Sequence, residues 1–329
     1  MKILIIGGTG LISLGIVKHL HERGATITQF NRSQRDNPYS KQVRTIVGDR
    51  NTPTDFDALS KETFDVVIDM ICFTPLQAEM DVKIFGGRCQ QFIFCSTVCT
   101  YGIKIPPQVL IDETFPQEPI SEYGRNKLAC EKIFQTAHEQ KKFACTIIRP
   151  SSTYGPEHPL IDQLEFDTPA WDRIERGLPV LCAGDGLGLW QSTHRDDVGR
   201  LFAYACLNSK TYGQSYNATR RTVFTWRDYY HQAAAVLDQS PKILFMPADW
   251  IIKHDPARFG LLREISRYHG AYNSAKAEKD VAEFGKYFID FTKGITEVFK
   301  FRKEAGKWKS SDNDPLYQRM VAAAQEFAP

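Results

Sequence analysis

Two side chains four residues apart, in Tyr123-Gly124-Arg125-Asn126-Lys127, have the chemistry to move a proton together. On a helix, the i, i+4 spacing puts both on one face. An ammonium beside a phenol favours the phenolate, which suits the tyrosine to acid–base work near neutral pH. Hydroxyls cluster earlier, where an apolar run ends in Cys95-Ser96-Thr97-Val98-Cys99-Thr100-Tyr101-Gly102. Thr97, at that strand end, can steady a substrate oxygen. A Tyr–Lys pair arises often by chance, so the preceding strand end sharpens the reading.

These groups need a frame, and the first twenty residues supply its start. Lys2 to Ile6 is a short run rich in branched apolar residues and reads as a buried strand. Gly7-Gly8-Thr9-Gly10 follows at once, and Leu11, Ile12, Ile16, Val17 and Leu20 then recur at helical spacing. Strand, glycine turn and helix together let a backbone approach a pyrophosphate, whose charge sits among free N–H groups at the helix start. The placement carries this reading, since glycine runs alone are common. Gly7, Thr9, Gly10, Leu11 and Ile12 are the expected dinucleotide contacts. Ser13 stands where a third glycine belongs, at some packing cost, and Gly15 is placed to relieve crowding. In this frame Lys127 can also hold a nicotinamide ribose.

A second strand, Ala25 to Phe30, ends at Asn31-Arg32-Ser33. An acid there would bind the adenosine ribose hydroxyls and select NAD. Asn31, Arg32 and nearby Arg35 instead suit a 2′-phosphate, because a guanidinium donates in a fork. The reading is therefore NADP, with NAD as the alternative. Thr45 to Asp49 reads as a third strand that brings Asp49, with Arg50 beside it, to the adenine. Phe64 to Met70, Gln91 to Cys95 and Ala144 to Ile148 read as further strands, and Met70 and Pro150 are the expected contacts at their ends. Gln77 to Phe85 and Glu122 to Gln140 read as helices, the second with Leu128, Ile133, Phe134 and Ala137 on one side. Strands alternating with helices imply an α/β fold, a Rossmann-type doubly wound parallel sheet.

After Pro156 the rhythm breaks. Leu178 to Leu181 reads as a returning strand, and Asp196 to Leu207 and Thr225 to Leu237 as helices. Residues 1–156 are expected to form the nucleotide-binding domain, with some segments of 178–240 returning to it. Residues 157–329 are expected to be mainly a smaller substrate lobe closing over the cofactor. The chain has 329 residues, enough to bury a large core, with 42% hydrophobic residues and a net charge of +2. That charge argues against bulk nucleic acid as a partner. No apolar stretch approaches the roughly 20 residues of a membrane span. The eight cysteines are scattered without a C-x-x-C pair, which implies reduced thiols in the cytoplasm and no metal site.

With these residues placed, the chain resembles the extended short-chain dehydrogenase/reductases of the NAD(P)-dependent epimerase/dehydratase type. The matching pieces are Gly7 to Gly10, Asp49, Ser96-Thr97 with Tyr101-Gly102, Tyr123-x-x-x-Lys127, Arg149-Pro150-x-x-x-Tyr154-Gly155-Pro156 and His194-x-Asp196-Asp197. They fall in family order across residues 1–240. The resemblance implies a bound nicotinamide, Tyr123 as acid/base, Lys127 as its partner and Thr97 as the hydroxyl residue. It also implies a homodimer formed by the Tyr123 helix and the Gln77–Phe85 helix.

Departures from the family pattern narrow the chemistry. Val98 and Cys99 stand where 4,6-dehydratases carry an Asp-Glu pair, so loss of water is not expected. Ser152 and Trp190 replace an Asn and an Arg that often serve a nucleoside diphosphate. Some members that epimerise beside a keto group carry a Cys at the Cys99 offset, paired with a His, and His158 follows the Tyr154-Gly155-Pro156 turn. A thiolate beside an imidazolium can move an α-proton, but buried cysteines are common, and an inert Cys99 is the stronger reading. His194 reads as a structural residue at a helix start, and Trp171, Trp190, Trp226 and Trp250 as core or pocket wall. The expectation is hydride transfer on a hydroxyl or keto carbon of a sugar or nucleotide-sugar-like substrate, with the hydride returned by an epimerase. The alternatives are a ketoreductase that releases its product and an RNA-binding member of the family. The Phe30-Asn31-Arg32 and Gly48-Asp49-Arg50 stretches also resemble the chloroplast stem-loop RNA-binding branch.

Overall fold

The computed structural model describes residues 1–34, 37–106 and 110–327, so Arg35 lies outside the described residues. The chain forms two compact units. The first comprises residues 1–153, 195–220 and 272–288, and the second comprises 154–194, 221–271 and 289 onward. The return of 272–288 to the first unit lies outside the segments expected to come back.

The first unit is built on a seven-stranded sheet. Its strands are β1 (Lys2–Ile6), β2 (Thr26–Asn31), β3 (Arg44–Val47), β4 (Val66–Asp69), β5 (Gln91–Cys95), β6 (Ala144–Pro150) and β7 (Gln214–Ala218). They run in the order β7-β6-β5-β4-β1-β2-β3, and every neighbouring pair is parallel. The order reverses at β1, the switch point at which open α/β sheets bind ligands. The strand period of two sends Ile3 and Ile5 of β1 to one core layer, and Leu4 and Ile6 to the other. Helices α1 (Leu11–Glu22) and α4 (Arg195–Ala205) cover the first layer, and α2 (Pro75–Phe85) and α3 (Glu122–Glu139) cover the second. Both faces are therefore buried, which is why the strands read as continuous apolar runs.

Two of the small residues singled out near the N-terminus have distinct structural tasks. Ser13 is buried, and its hydroxyl donates to the Gly7 carbonyl at 2.8 Å, tying the turn to the helix. Gly15 packs on α4 through backbone alone. A Cβ at Gly15 would lie 2.4 Å from the Arg195 oxygen, and one at Gly199 would lie 2.3 Å from the Gly15 carbonyl carbon. The two glycines thus set how closely α1 and α4 approach.

Some local details differ from the sequence reading. β3 ends at Val47, leaving Gly48 and Asp49 in the following loop. The buried stripe of α3 is Gly124, Lys127, Cys130, Glu131, Phe134 and Ala137, while Leu128 and Ile133 are only partly buried. The stripe is more polar than expected because strand ends, rather than apolar side chains, meet its first two turns.

The second unit has its own aromatic core, in which Trp171 lies near Tyr230 and Phe299, and Trp226 near Tyr229. Val180–Ala183 pairs in parallel with Ile243–Met246, and Leu189–Trp190 pairs antiparallel with Phe224–Thr225. Trp190 is buried, packs at a tilt against Trp226 with ring centroids 4.6 Å apart, and donates to Ser192. His194 is likewise buried, edge-on to the Tyr154 ring at 5.3 Å. Cations near residue 300 pair with acids of this unit, as in Arg302–Asp167 and Lys303–Glu175.

Candidate active site

The end of β5 receives one face of α3. Ser121 caps this helix, its hydroxyl accepting from the Gly124 N–H at 3.0 Å, and so sets where the first turn begins. Tyr123, Lys127 and Glu131, each one turn further along, then meet three consecutive residues of the strand end. The Tyr123 phenol is near the Thr97 side chain, which favours its ionised form. Lys127 donates to the Cys95 carbonyl at 2.7 Å, and Glu131 accepts from the Ser96 hydroxyl at 2.5 Å. Thr97 is itself held by the Cys99 N–H, which donates to its hydroxyl oxygen at 3.2 Å.

The Tyr–Lys electrostatics differ from the sequence expectation. Lys127 is 1% exposed, and two of its three donors go to the carbonyls of Cys72 (2.8 Å) and Cys95. Its ammonium stands 5.9 Å from the centre of the Tyr123 ring. The Tyr123 ring is 43% exposed while its hydroxyl end is enclosed, and that burial pushes the phenol well above its ordinary range. The nearby Cys95 and Cys99 thiols push the same way, and the Thr97 side chain opposes them. Burial therefore favours the protonated form of the Tyr123 phenol.

Glu131 was not identified from sequence, although its i+8 position from Tyr123 is a usable signal. It is 1% exposed and takes a two-pronged contact from Arg149, with Nε at 2.9 Å and Nη2 at 2.7 Å. Arg149 in turn donates to the Tyr101 hydroxyl at 2.8 Å, which donates to Asn217 on β7. A paired and hydrogen-bonded buried charge of this kind resists displacement, so this network holds α3 in register against β5.

Above the switch point lies a cleft of about 270 Å³ that includes Gly7, Thr9, Gly10, Asn31, Arg32, Asp49 and Arg50. Gly7 has φ +85°, and a Cβ there would strike Ile71 at 2.6 Å. Gly10 differs, since a Cβ there would meet nothing closer than the Ser13 hydroxyl at 3.6 Å. Glycine at that point leaves the cleft side open, beside a helix start with no side-chain cap and no acid in its first turn. An anionic diphosphate fits there. Of the other expected contacts, Leu11 opens α1, Ile12 and Met70 pack against the sheet core, and Pro150 is buried at the end of β6.

At the far end of the cleft, Asn31 is 8% exposed and accepts from the Ser33 N–H at 2.7 Å. Its Nδ2 is buried with no hydrogen-bond partner among the described residues, an open donor beside the cleft. Arg32 is largely exposed and stands 3.8 Å from the Asp49 carboxylate. Arg50 borders the cleft, but its guanidinium is committed elsewhere, to Asp69 at 2.6 Å and to both oxygens of Asp81 at 3.1 Å. Burial, together with neighbouring Asp69, raises the Asp81 carboxyl well above its ordinary range. Arg50 is therefore a buried strut, because two acids from β4 and α2 claim its charge. Phe73 and Gln77, which the sequence reading passed over, also line the cleft. Cys99 is partly exposed in the first unit, whereas His158 belongs to the second.

Comparison with known proteins agrees with this architecture. Residues 3–219 match the model of the NAD dependent epimerase/dehydratase family. A 2'-dehydrokanamycin reductase from Streptomyces kanamyceticus is 24% identical over 275 residues, covering 83% of this chain and 77% of that protein. The chloroplast stem-loop binding protein of 41 kDa b from Arabidopsis thaliana is 26% identical over 333 residues, covering 92% and 82%. Among solved structures, UDP-glucuronic acid 4-epimerase from Bacillus cereus, in complex with UDP-glucuronic acid and NAD, superposes with a TM-score of 0.73. That alignment has 18% identity and covers 93% of this chain and all of that one, a likeness of fold. With its Rossmann sheet, its open glycine turn and two thirds of its length matched, the chain belongs to the NAD dependent epimerase/dehydratase family.

Proposed function

We propose that this enzyme reduces a keto carbon of a sugar-like substrate with NADPH, Tyr123 giving the proton to the ketone oxygen. The observation that carries the reading is the meeting of Thr97, Tyr123 and Lys127 at the end of β5, with the Tyr123 phenol held protonated by burial. The nicotinamide would supply a hydride to the carbon. Thr97 orients the substrate oxygen through its hydroxyl, Tyr123 donates along the same line, and Lys127 uses its remaining donor to place the ribose. Gly7, Thr9 and Gly10 hold the diphosphate, and Asn31 with Arg32 holds the 2′-phosphate. The reductase relatives from Streptomyces kanamyceticus and Caulobacter vibrioides, the latter a ceramide reductase, cover most of the chain and favour release of the reduced product. An epimerase that returns the hydride is the second reading, favoured by the solved structures sharing the fold. Dehydration is disfavoured by Val98 and Cys99, which cannot act as the carboxylate pair that chemistry uses.

The second unit is proposed as the substrate lobe, and the protein as a cytoplasmic homodimer. Support for the dimer comes from the outer face of α3, where Pro119, Arg125, Leu128, Ala129 and Lys132 line an open groove, and from Leu76 on α2, which is 66% exposed. Among the described residues, no helix is long and apolar enough to cross a membrane. The deciding experiment is Tyr123→Phe, assayed by NADPH oxidation against a panel of oxidised aminocyclitols and keto-sugars. Turnover is expected to fall roughly 10²–10⁴-fold with NADPH binding kept. Wild-type turnover in the variant refutes the assignment.

A further inference from the structure

Beneath Lys127 lies a pair of thiols that the proposed chemistry does not use. Cys72 follows β4, in the loop leading to α2, and Cys130 lies on α3 three residues beyond Lys127. Both are fully buried, and the Cys72 Sγ donates to the Cys130 Sγ at 3.9 Å. The remaining cysteines lack this arrangement. Cys89, for example, donates to a carbonyl within its own turn, as does Cys206. The pair is also tied to the site, because the Cys72 carbonyl is one of the two acceptors that hold the Lys127 ammonium. Ile71 and Phe73, on either side of Cys72, line the nucleotide cleft, so the loop carrying Cys72 forms part of the wall of that cleft.

We propose that Cys72 and Cys130 form a dithiol modification site, which hydrogen peroxide converts to a disulfide, lowering affinity for the cofactor. The Cys130 thiolate attacks one peroxide oxygen. An S–O bond forms, the O–O bond breaks, and the departing hydroxide takes a proton to leave as water. The Cys72 thiol then gives up its proton and attacks the sulfenic sulfur. An S–S bond forms, the S–O bond breaks, and a second water leaves. The two thiols lose two electrons in total, and the peroxide gains them. The electrostatics agree with this order of attack. The hydrogen bond from Cys72 and the Lys127 ammonium outweigh burial and hold the Cys130 thiol below its ordinary range. Burial instead pushes Cys89 up to about 12 and Cys95 up to about 11. Closing the sulfurs from 3.9 Å to the roughly 2.0 Å of a disulfide draws the Cys72 loop toward α3. That movement shifts the carbonyl under Lys127 and the Ile71 contact with Gly7, and so deforms the nucleotide cleft. The consequence for cofactor rests on the nucleotide role proposed above, whereas the cross-link itself does not.

The test exposes the whole purified protein to graded hydrogen peroxide, with and without saturating NADPH. Disulfides are mapped by non-reducing peptide mass spectrometry, and NADPH affinity is read from the fluorescence of the bound nucleotide. A peptide joining Cys72 to Cys130, lighter by two hydrogens, is expected before oxidation at the other six cysteines. It should form more slowly with NADPH present. The NADPH dissociation constant should rise at least tenfold with the cross-link and return after dithiothreitol. Cys130→Ala and Cys72→Ala, measured separately, should keep their own untreated affinity under the same peroxide. Oxidation of other thiols without this peptide overturns the site, and a cross-link that leaves NADPH affinity unchanged overturns its effect. Failure of the reduced protein to bind NADPH would instead refute the proposed function.

Discussion

Replacing Arg32 by Ala should separate the two nicotinamide cofactors, and the structure sets the size of the effect. The Arg32 fork can make two charge-assisted hydrogen bonds to a 2′-phosphate, and hydrogen bonds to charged groups contribute about 1.5–3 kcal/mol. Arg32 is largely exposed and faces Asp49 at 3.8 Å. Leaving that exposed pairing costs up to about 1 kcal/mol. With about 1.5–3 kcal/mol taken for the whole fork at this exposed site, the net loss on Arg32→Ala is about 0.5–3 kcal/mol, a roughly 2–160-fold weaker NADPH complex, since about 1.4 kcal/mol is tenfold. NADH has no 2′-phosphate, so its affinity should change less than about twofold. Adding Asn31→Asp removes the open Nδ2 donor and places a carboxylate beside the cleft, where it repels the phosphate and accepts from ribose hydroxyls. The double variant should therefore prefer NADH. Calorimetric titration of both cofactors, at two salt concentrations, reads these changes directly. Equal weakening of NADH and NADPH, or no weakening of either, refutes the argument.

The remaining predictions concern the proton, the core and the assembly. Because burial raises the Tyr123 phenol, its protonated form persists as pH rises. Reduction should stay flat from about pH 6 to 9, while oxidation of the alcohol, which needs the phenolate, should climb with pH without levelling off; a plateau in oxidation near neutrality contradicts this. Glu131→Ala leaves the Arg149 guanidinium buried without its partner, a cost of about 3–5 kcal/mol that should appear as a lower urea midpoint. Gly199→Ala puts a Cβ 2.3 Å from the Gly15 carbonyl carbon, so α1 and α4 must separate. Destabilisation of about 2 kcal/mol or more is expected by thermal melting, and an unchanged melt would deny the close crossing. A charged replacement, Leu128→Glu on the outer face of α3, should give monomers by light scattering if that face joins two copies.

What could be read from the chain alone was set by neighbours in sequence. The run Lys2–Ile6, the glycines after it and the helical spacing from Leu11 are local properties, because φ/ψ preferences and side-chain periods act over a few residues. The parallel α/β class follows from that rhythm, and the shared face of Tyr123 and Lys127 from the pitch of one helix. Tertiary structure decided the partners. Lys127 finds its acceptors 55 and 32 residues away, at Cys72 and Cys95. Arg50 is placed by sequence beside Asp49 at the adenine, and only the fold shows that acids 19 and 31 residues further on take its charge. Gly15 owes its lack of a side chain to the Arg195 backbone, and residues 272–288 owe their place to the first unit, neither of which a local pattern encodes. A side chain's type and spacing state what it can do, but its charge state and its free donors depend on groups that only the folded chain brings within bonding distance.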